Sequence, residues 1–185
     1  ALMSEGTDPH FYRPSPGDIA KLAATATDII FYNGLHLEGK MVAVLEDLGE
    51  RKRVVAVTDG IDRSRLRAPP EFQNQYDPHV WFDVSLWTEC AKSVRDVLIE
   101  DDAEHTADYR QQAARYIDEL TKLHHQVKLD IATIPEAQRV LITAHDAFGY
   151  FGRAYGIKVL GVQGISTDSE ASVRRIEELV DLIVT

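Results

Sequence analysis

The chain has 185 residues, of which 44% are hydrophobic, and its 20 Lys and Arg against 30 Asp and Glu give a formal charge of −10. A hydrophobic fraction of this size can form a core, which excludes an intrinsically disordered chain. The acidic balance without a basic stripe argues against nucleic acid as a partner. A single cysteine excludes a disulfide scaffold and a four-cysteine zinc site.

The first third of the chain alternates between helix and strand signals. Ser15, Pro16 and Asp18 are typical of a helix start. The apolar runs at 29–32 and 53–57 predict buried strands, and helical spacing at 35–48 predicts a helix between them. The order strand, helix, strand predicts a parallel sheet with helices on its faces.

The middle of the chain contains a long loop and two helical segments. Residues 58–82 lack periodicity and contain three prolines, and loops of this length are usually functional. Helical spacing returns at 84–101 and again at 103–134. The second helix would be about 48 Å long at 1.5 Å per residue, which is longer than a small lobe is wide. We therefore expect it to connect two lobes.

The α/β alternation resumes after Pro135. We predict strands at 139–143 and 157–162, a helix at 146–155, and a last helix at 169–182 with Thr167 and Glu170 as its capping pair. The predicted organisation is a partial N-terminal lobe (1–101), a linker helix (102–134) and a partial C-terminal lobe (135–185).

Three of the seven histidines share a setting suited to metal binding. His10 and His79 each follow an Asp-Pro pair in a loop, and His145 follows a predicted strand. Ligands of open α/β sheets gather at the carboxyl ends of strands, and neutral imidazole is a common zinc ligand. The neighbouring Asp8, Asp77 and Asp146 could orient the rings or cap the loops. Solvated or cleft-rim positions are expected for the other histidines, which are His36, His105, His124 and His125.

Enzyme signatures are missing from the chain. We find no HExxH, GxSxG or phosphate-binding loop, and Cys90 falls within a predicted helix as a buried structural residue. Three histidines and a water could still form a zinc hydrolase site. A surface protein with a vestigial metal site is a further alternative.

Four segments carry a family resemblance: LMSEGTDPHFYRPSPGDIAKL, IIFYNGLHLEGKM, YDPHVWFDVSLW and VLITAHDAFGYFGRAYGIKVLGVQGISTDSEAS. They resemble the TroA-like zinc and manganese substrate-binding proteins of bacterial ABC importers. The resemblance implies two α/β lobes joined by one long helix, with the metal in the cleft between them. It assigns the first three ligands to His10, His79 and His145. A histidine at the third position, where the manganese branch has glutamate, favours Zn(II) and leaves Mn(II) open.

The resemblance also implies a cellular setting. It predicts a non-enzymatic protein that delivers Zn(II) or Mn(II) to an ABC importer permease, in the periplasm or lipid-anchored outside the cell. The family takes a fourth ligand, an aspartate, from near its end, and nothing here matches it. We therefore expect both lobes to be incomplete and the fragment to associate with itself. We also expect the metal to order loops more than it moves the lobes.

Overall fold

The computed structural model describes residues 2–3, 5–24, 28–72, 75–167, 176–177 and 179–181. In these ranges the α-helices and strands, in chain order, are α1 (Pro16–Ala23), β1 (Ile29–Tyr32), α2 (Val42–Gly49), β2 (Arg53–Ala56), α3 (Val84–Asp101), α4 (Thr106–Ala132), β3 (Val140–His145), α5 (Gly149–Tyr155) and β4 (Lys158–Gln163). Within the same ranges no helix combines the length and apolar character required to cross a membrane.

The first unit is built on a parallel pair of strands. β1 and β2 align from Ile29 with Arg53 to Tyr32 with Ala56, and α2 connects them. A core cluster against this sheet contains Ile30, Met41, Leu45 and Leu48. The predicted strands are confirmed, with β2 ending one residue early. The start of α1 is also confirmed, since Ser15 and Asp18 form a reciprocal capping box.

The helix predicted at 35–48 begins later than its periodicity indicates. Leu35 and His36 have φ values of 55° and 63°, in the left-handed region that a right-handed helix excludes. The backbone N–H groups of Asn33 and Gly34 donate to the Glu38 carboxylate instead. α2 therefore starts at Val42, after a 3-10 turn at Gly39–Met41.

The long segment 58–82 has neither strand nor α-helix in its described residues, as predicted. Its described residues instead form four 3-10 turns, at Val57–Gly60, Arg63–Arg65, Pro70–Phe72 and Val80–Phe82. Its apolar side chains are nevertheless part of the core, where Ile61, Leu66 and Val80 pack with Leu86 and Cys90 of α3. This packing holds the segment against the first unit.

Helix α4 connects the two units. It has 27 residues, or about 40 Å, and is shorter than predicted because Ala103–His105 forms a 3-10 turn before it. In the first half of α4, the hydroxyl of Tyr116 accepts a hydrogen bond from the indole N–H of Trp87 on α3. The expectation that His124 lies on a solvated face is wrong, since its ring is half-buried and hydrogen-bonded to Tyr155 of α5. The residue boundaries of the two lobes stay a prediction.

The second unit repeats the parallel arrangement. β3 and β4 align from Val140 with Lys158 to His145 with Gln163, which confirms the predicted α/β class with parallel sheets. α5 begins at Gly149 rather than at 146, because residues 146–148 turn away from the end of β3. Most of the last predicted helix, including Glu170, lies outside the described residues, and 176–177 and 179–181 are helical.

Candidate metal centre

His10, His79 and His145 converge on one point although they lie far apart in the sequence. Each offers a ring nitrogen, and these nitrogens all lie within 4.8 Å of one another. His10 and His79 are buried, and His145 is half-buried. The loop ahead of α1 carries His10, the loop ahead of α3 carries His79, and His145 ends β3 at the carboxyl edge of its sheet. The two units therefore both contribute to the group.

The spacing of the first two rings suits a shared ion. The Nε2 atoms of His10 and His79 are 3.2 Å apart. Two nitrogens bound to one tetrahedral Zn(II) at about 2.0–2.1 Å would be about 3.3–3.4 Å apart. The ring of His145 completes the group, with its centroid 5.4 Å from that of His79 and 6.1 Å from that of His10.

Asp77 determines which nitrogen of His79 faces this point. Its Oδ1 accepts hydrogen bonds from the backbone N–H of His79 at 3.0 Å and from Nδ1 of the ring at 2.9 Å. A carboxylate only accepts, so Nδ1 carries the ring proton and Nε2 keeps its lone pair for the site. The other oxygen, Oδ2, accepts from Nη1 of Arg67 at 2.6 Å, and Asp77 is 0% exposed. Asp77 thus both orients the ring and caps the loop.

The other Asp-Pro-His segment, residues 8–10, has the same backbone turn but a different side-chain partner. Oδ1 of Asp8 accepts from the backbone N–H of His10 at 2.9 Å, matching the turn at His79. Its Oδ2 accepts from the hydroxyl of Thr167, which lies beyond β4 in the other unit. Asp8 therefore caps the His10 loop and ties it to the second unit.

His145 lies where the end of β3 turns sharply. The backbone N–H of Asp146 donates to the carbonyl oxygen of Gly164. The backbone N–H of Ala147 donates to the carbonyl oxygen of His145 itself. A Cβ at Gly161 would lie 2.7 Å from the Asp146 nitrogen, so β4 approaches this turn closely only because it has glycine there. Burial is the main cause that lowers the pKa of His145. A lowered pKa favours the neutral ring, which is the form that binds metals.

The other histidines are not in this group. His36 lies in the left-handed turn after β1, His105 is exposed and hydrogen-bonded to Asp102, and His125 is exposed.

Sequence patterns also missed two residues that support the site. Arg67 lies in the loop without periodicity, and Tyr150 had the signal of an ordinary apolar helix residue.

Two α/β units joined by one long helix, with three histidines meeting between them, define a two-lobed binding protein with a candidate metal centre. The chain belongs to the family described as zinc-uptake complex component A, periplasmic, which it matches over residues 1–185. The resemblance to TroA-like substrate-binding proteins is confirmed.

Named relatives agree with this family. The chain is 44% identical over 183 residues to the manganese-binding lipoprotein MntA of Bacillus subtilis, covering 99% of this chain and 59% of MntA. The solved periplasmic zinc-binding protein TroA of Treponema pallidum is 44% identical with a TM-score of 0.93, covering 98% of this chain and 64% of TroA. The laminin-binding protein Lmb of Streptococcus agalactiae, described as an adhesin with metal-transporting activity, is 27% identical with a TM-score of 0.80, covering 94% of this chain and 63% of Lmb. The chain thus spans about three fifths of the length of these relatives.

Proposed function

We propose that this protein binds a divalent transition metal through His10, His79 and His145 and delivers the ion, as cargo, to the permease of an ABC importer. Its proposed parts are a first lobe (1–101), a linker helix (102–134) and a second lobe (135–185). The observation that carries the proposal is the meeting of three imidazole nitrogens from both lobes. A site shared between lobes can bind and release an ion as the loops around it adjust.

Zn(II) is the proposed ion, with Mn(II) as the alternative. Three nitrogen donors favour zinc over manganese in the usual affinity order of divalent metals. The named relatives include both a zinc-binding and a manganese-binding protein. Since several relatives are lipoproteins, we place the protein outside the cytoplasmic membrane, either in the periplasm or lipid-anchored.

The protein is proposed to bind its ion without acting as an enzyme. Its family consists of substrate-binding components of ABC importers. A three-histidine zinc hydrolase would also need a base near the bound water, and the carboxylate of Asp77 is already engaged by Arg67 and His79. Ester hydrolysis proportional to bound zinc would contradict this part of the proposal.

The test is metal titration of chelator-treated protein, with two histidine variants. His145→Ala should weaken zinc binding by at least about a hundredfold, because losing a ligand costs more than losing an outer hydrogen bond. The matched control is His125→Ala, an exposed histidine on α4, which should bind zinc like the wild type. Elemental analysis of protein purified without chelator identifies the ion. Stoichiometric zinc retained by His145→Ala with unchanged affinity would reject the site.

A further inference from the structure

Tyr150 of α5 lies across the boundary between the two units. Its side chain is 0% exposed, and it belongs to the core cluster of the first unit together with Val57 and Leu86. Its hydroxyl donates to the backbone carbonyl of Asp77 at 2.9 Å and accepts from the backbone N–H of Arg67 at 3.0 Å. A residue of the second lobe therefore completes the backbone hydrogen bonding of two first-lobe segments.

Those two segments lead directly to His79. Arg67 and Asp77 are joined by a backbone hydrogen bond of 2.9 Å and by the contact of 2.6 Å between Arg67 Nη1 and Asp77 Oδ2. The opposite oxygen of Asp77 holds both the backbone and the ring of His79. An unbroken series of hydrogen bonds, buried at Asp77 and His79 and partly buried at Arg67, thus runs from the hydroxyl of Tyr150 to the ring that faces the candidate metal centre.

The residue before Tyr150 leaves space for this arrangement. A Cβ at Gly149 would lie 1.2 Å from Nη1 of Arg67, so the guanidinium can reach Asp77 only across a residue without a side chain. The guanidinium groups of Arg67 and Arg153 lie 5.8 Å and 5.1 Å from the centre of the Tyr150 ring. Both features are specific to the way α5 docks on the loop ahead of α3.

We propose that Tyr150 is a positioning residue that sets the separation between His79 and His145, and through it the affinity for the ion. Tyr150 follows His145 by five residues and grips the segment that precedes His79, so one side chain links the two ligands of different lobes. Metal–ligand distances tolerate only about 0.2 Å of error. The inference rests on the proposed function.

Removing the hydroxyl should disturb the site without touching a ligand. In Tyr150→Phe the Asp77 carbonyl and the Arg67 N–H lose their partner in a buried place, which forces the segment to shift or to admit water. We expect zinc binding to weaken about 10- to 100-fold, the range seen when outer-shell partners of metal ligands are lost. We also expect a changed visible absorption spectrum for bound Co(II), because that spectrum reports coordination geometry.

Tyr155→Phe is the matched control. Tyr155 lies on the same helix and is buried, and its hydroxyl bonds the ring of His124 and the backbone N–H of Val84 rather than the residues that orient His79. The Tyr155→Phe substitution also removes the hydroxyl of a buried tyrosine, so a general loss of packing would affect both variants alike. We expect its zinc affinity within about twofold of the wild type, as for substitutions outside the outer shell of a metal site, with an unchanged Co(II) spectrum.

The outcomes separate the two proposals. A wild-type protein that binds none of zinc, manganese and cobalt contradicts the proposed function itself. A wild type that binds zinc, with Tyr150→Phe binding as tightly or with both variants weakened equally, overturns the positioning role. If Tyr150→Phe does not fold, Gly149→Ala keeps the hydroxyl and displaces Arg67 from Asp77. It should weaken zinc binding to a similar degree, and unchanged binding would likewise overturn the inference.

Discussion

The aspartate of each Asp-Pro-His segment uses its two carboxylate oxygens differently. In both segments one oxygen accepts the backbone N–H of the histidine two residues later. At Asp77 that oxygen also accepts the ring proton of His79, while Asp8 reaches Thr167 with its other oxygen. One tripeptide therefore fixes a ring in one place and connects two lobes in the other.

At the scale of single residues we expect Asp77→Asn to weaken zinc binding about 10- to 100-fold. An asparagine oxygen can still accept the backbone N–H of His79. However, it is a weaker acceptor for the ring proton, and its amide hydrogens would face the Arg67 donors. Affinity is measured by competition with a chromophoric chelator.

Asp62→Asn provides the control for this change. Asp62 makes the same turn, accepting the backbone N–H of Ser64 at 2.8 Å. It is exposed, and its carboxylate bonds Ser64 rather than a histidine. We expect its zinc affinity to equal that of the wild type. Equal affinity in Asp77→Asn would mean that the carboxylate does not orient His79.

Helices α3 and α4 pack side by side, and the face of α3 turned toward the core carries the lone cysteine. Cys90 is 1% exposed and lies in the cluster with Val57, Leu86 and Tyr150. Burial raises the pKa of its thiol to about 12. The packing of α3 against this core can therefore be followed through the reactivity of one side chain.

At the scale of elements we expect native Cys90 to react slowly with thiol reagents. At pH 8 a pKa of about 12 instead of 9.0 lowers the thiolate fraction roughly a thousandfold, and the thiolate is the reactive form. The rate should rise as the pH increases toward 12. Labelling in denaturant should restore the ordinary rate. A native rate equal to the denatured rate at pH 8 would contradict the tight packing of α3.

The connection between the lobes limits how the whole molecule can move. α4 is continuous over 27 residues, and continuous helices without proline or inserted groups resist sharp bending. The hydroxyls of Tyr150 and Thr167 add interlobe hydrogen bonds on the side of the site. Loops can adjust around the histidines more easily than the lobes can rotate.

We therefore predict that zinc leaves the radius of gyration unchanged within the error of small-angle scattering. Zinc should instead slow amide hydrogen exchange in the loops that carry His10 and His79, because binding orders the ligands. The His145→Ala variant, in which zinc binding should be much weaker, serves as the control. A clear fall in the radius of gyration on adding zinc would show that the lobes close as rigid bodies.

Self-association is a second prediction for the whole molecule. In the described part of the chain each sheet has two strands, so every strand there has one edge without a strand neighbour. Open edges pair with other chains, and Val140 on β3 is an exposed apolar residue. We expect sedimentation velocity to show a dimer or larger species, reduced by Val140→Lys. A monomer at high concentration would contradict this prediction.

Local patterns determined much of this protein from its sequence alone. The apolar runs of β1 and β2, the capped start of α1 and the spacing of α3 depend on neighbours within a few residues, and each appears where predicted. The repeated Asp-Pro-His and the position of His145 after a predicted strand singled out the histidines that meet. Family resemblance then supplied their expected role as ligands.

Only the tertiary structure decided how the lobes meet and what supports the site. A left-handed turn at Leu35 and His36 stands where a helical turn was predicted, and the Glu38 carboxylate accepts the backbone N–H groups of Asn33 and Gly34 just before it. Tyr150 and Arg67 stand 83 residues apart, and neither has a local pattern that indicates the other. Periodicity records which face of an element is buried, whereas the partner of a buried hydroxyl depends on how distant segments pack.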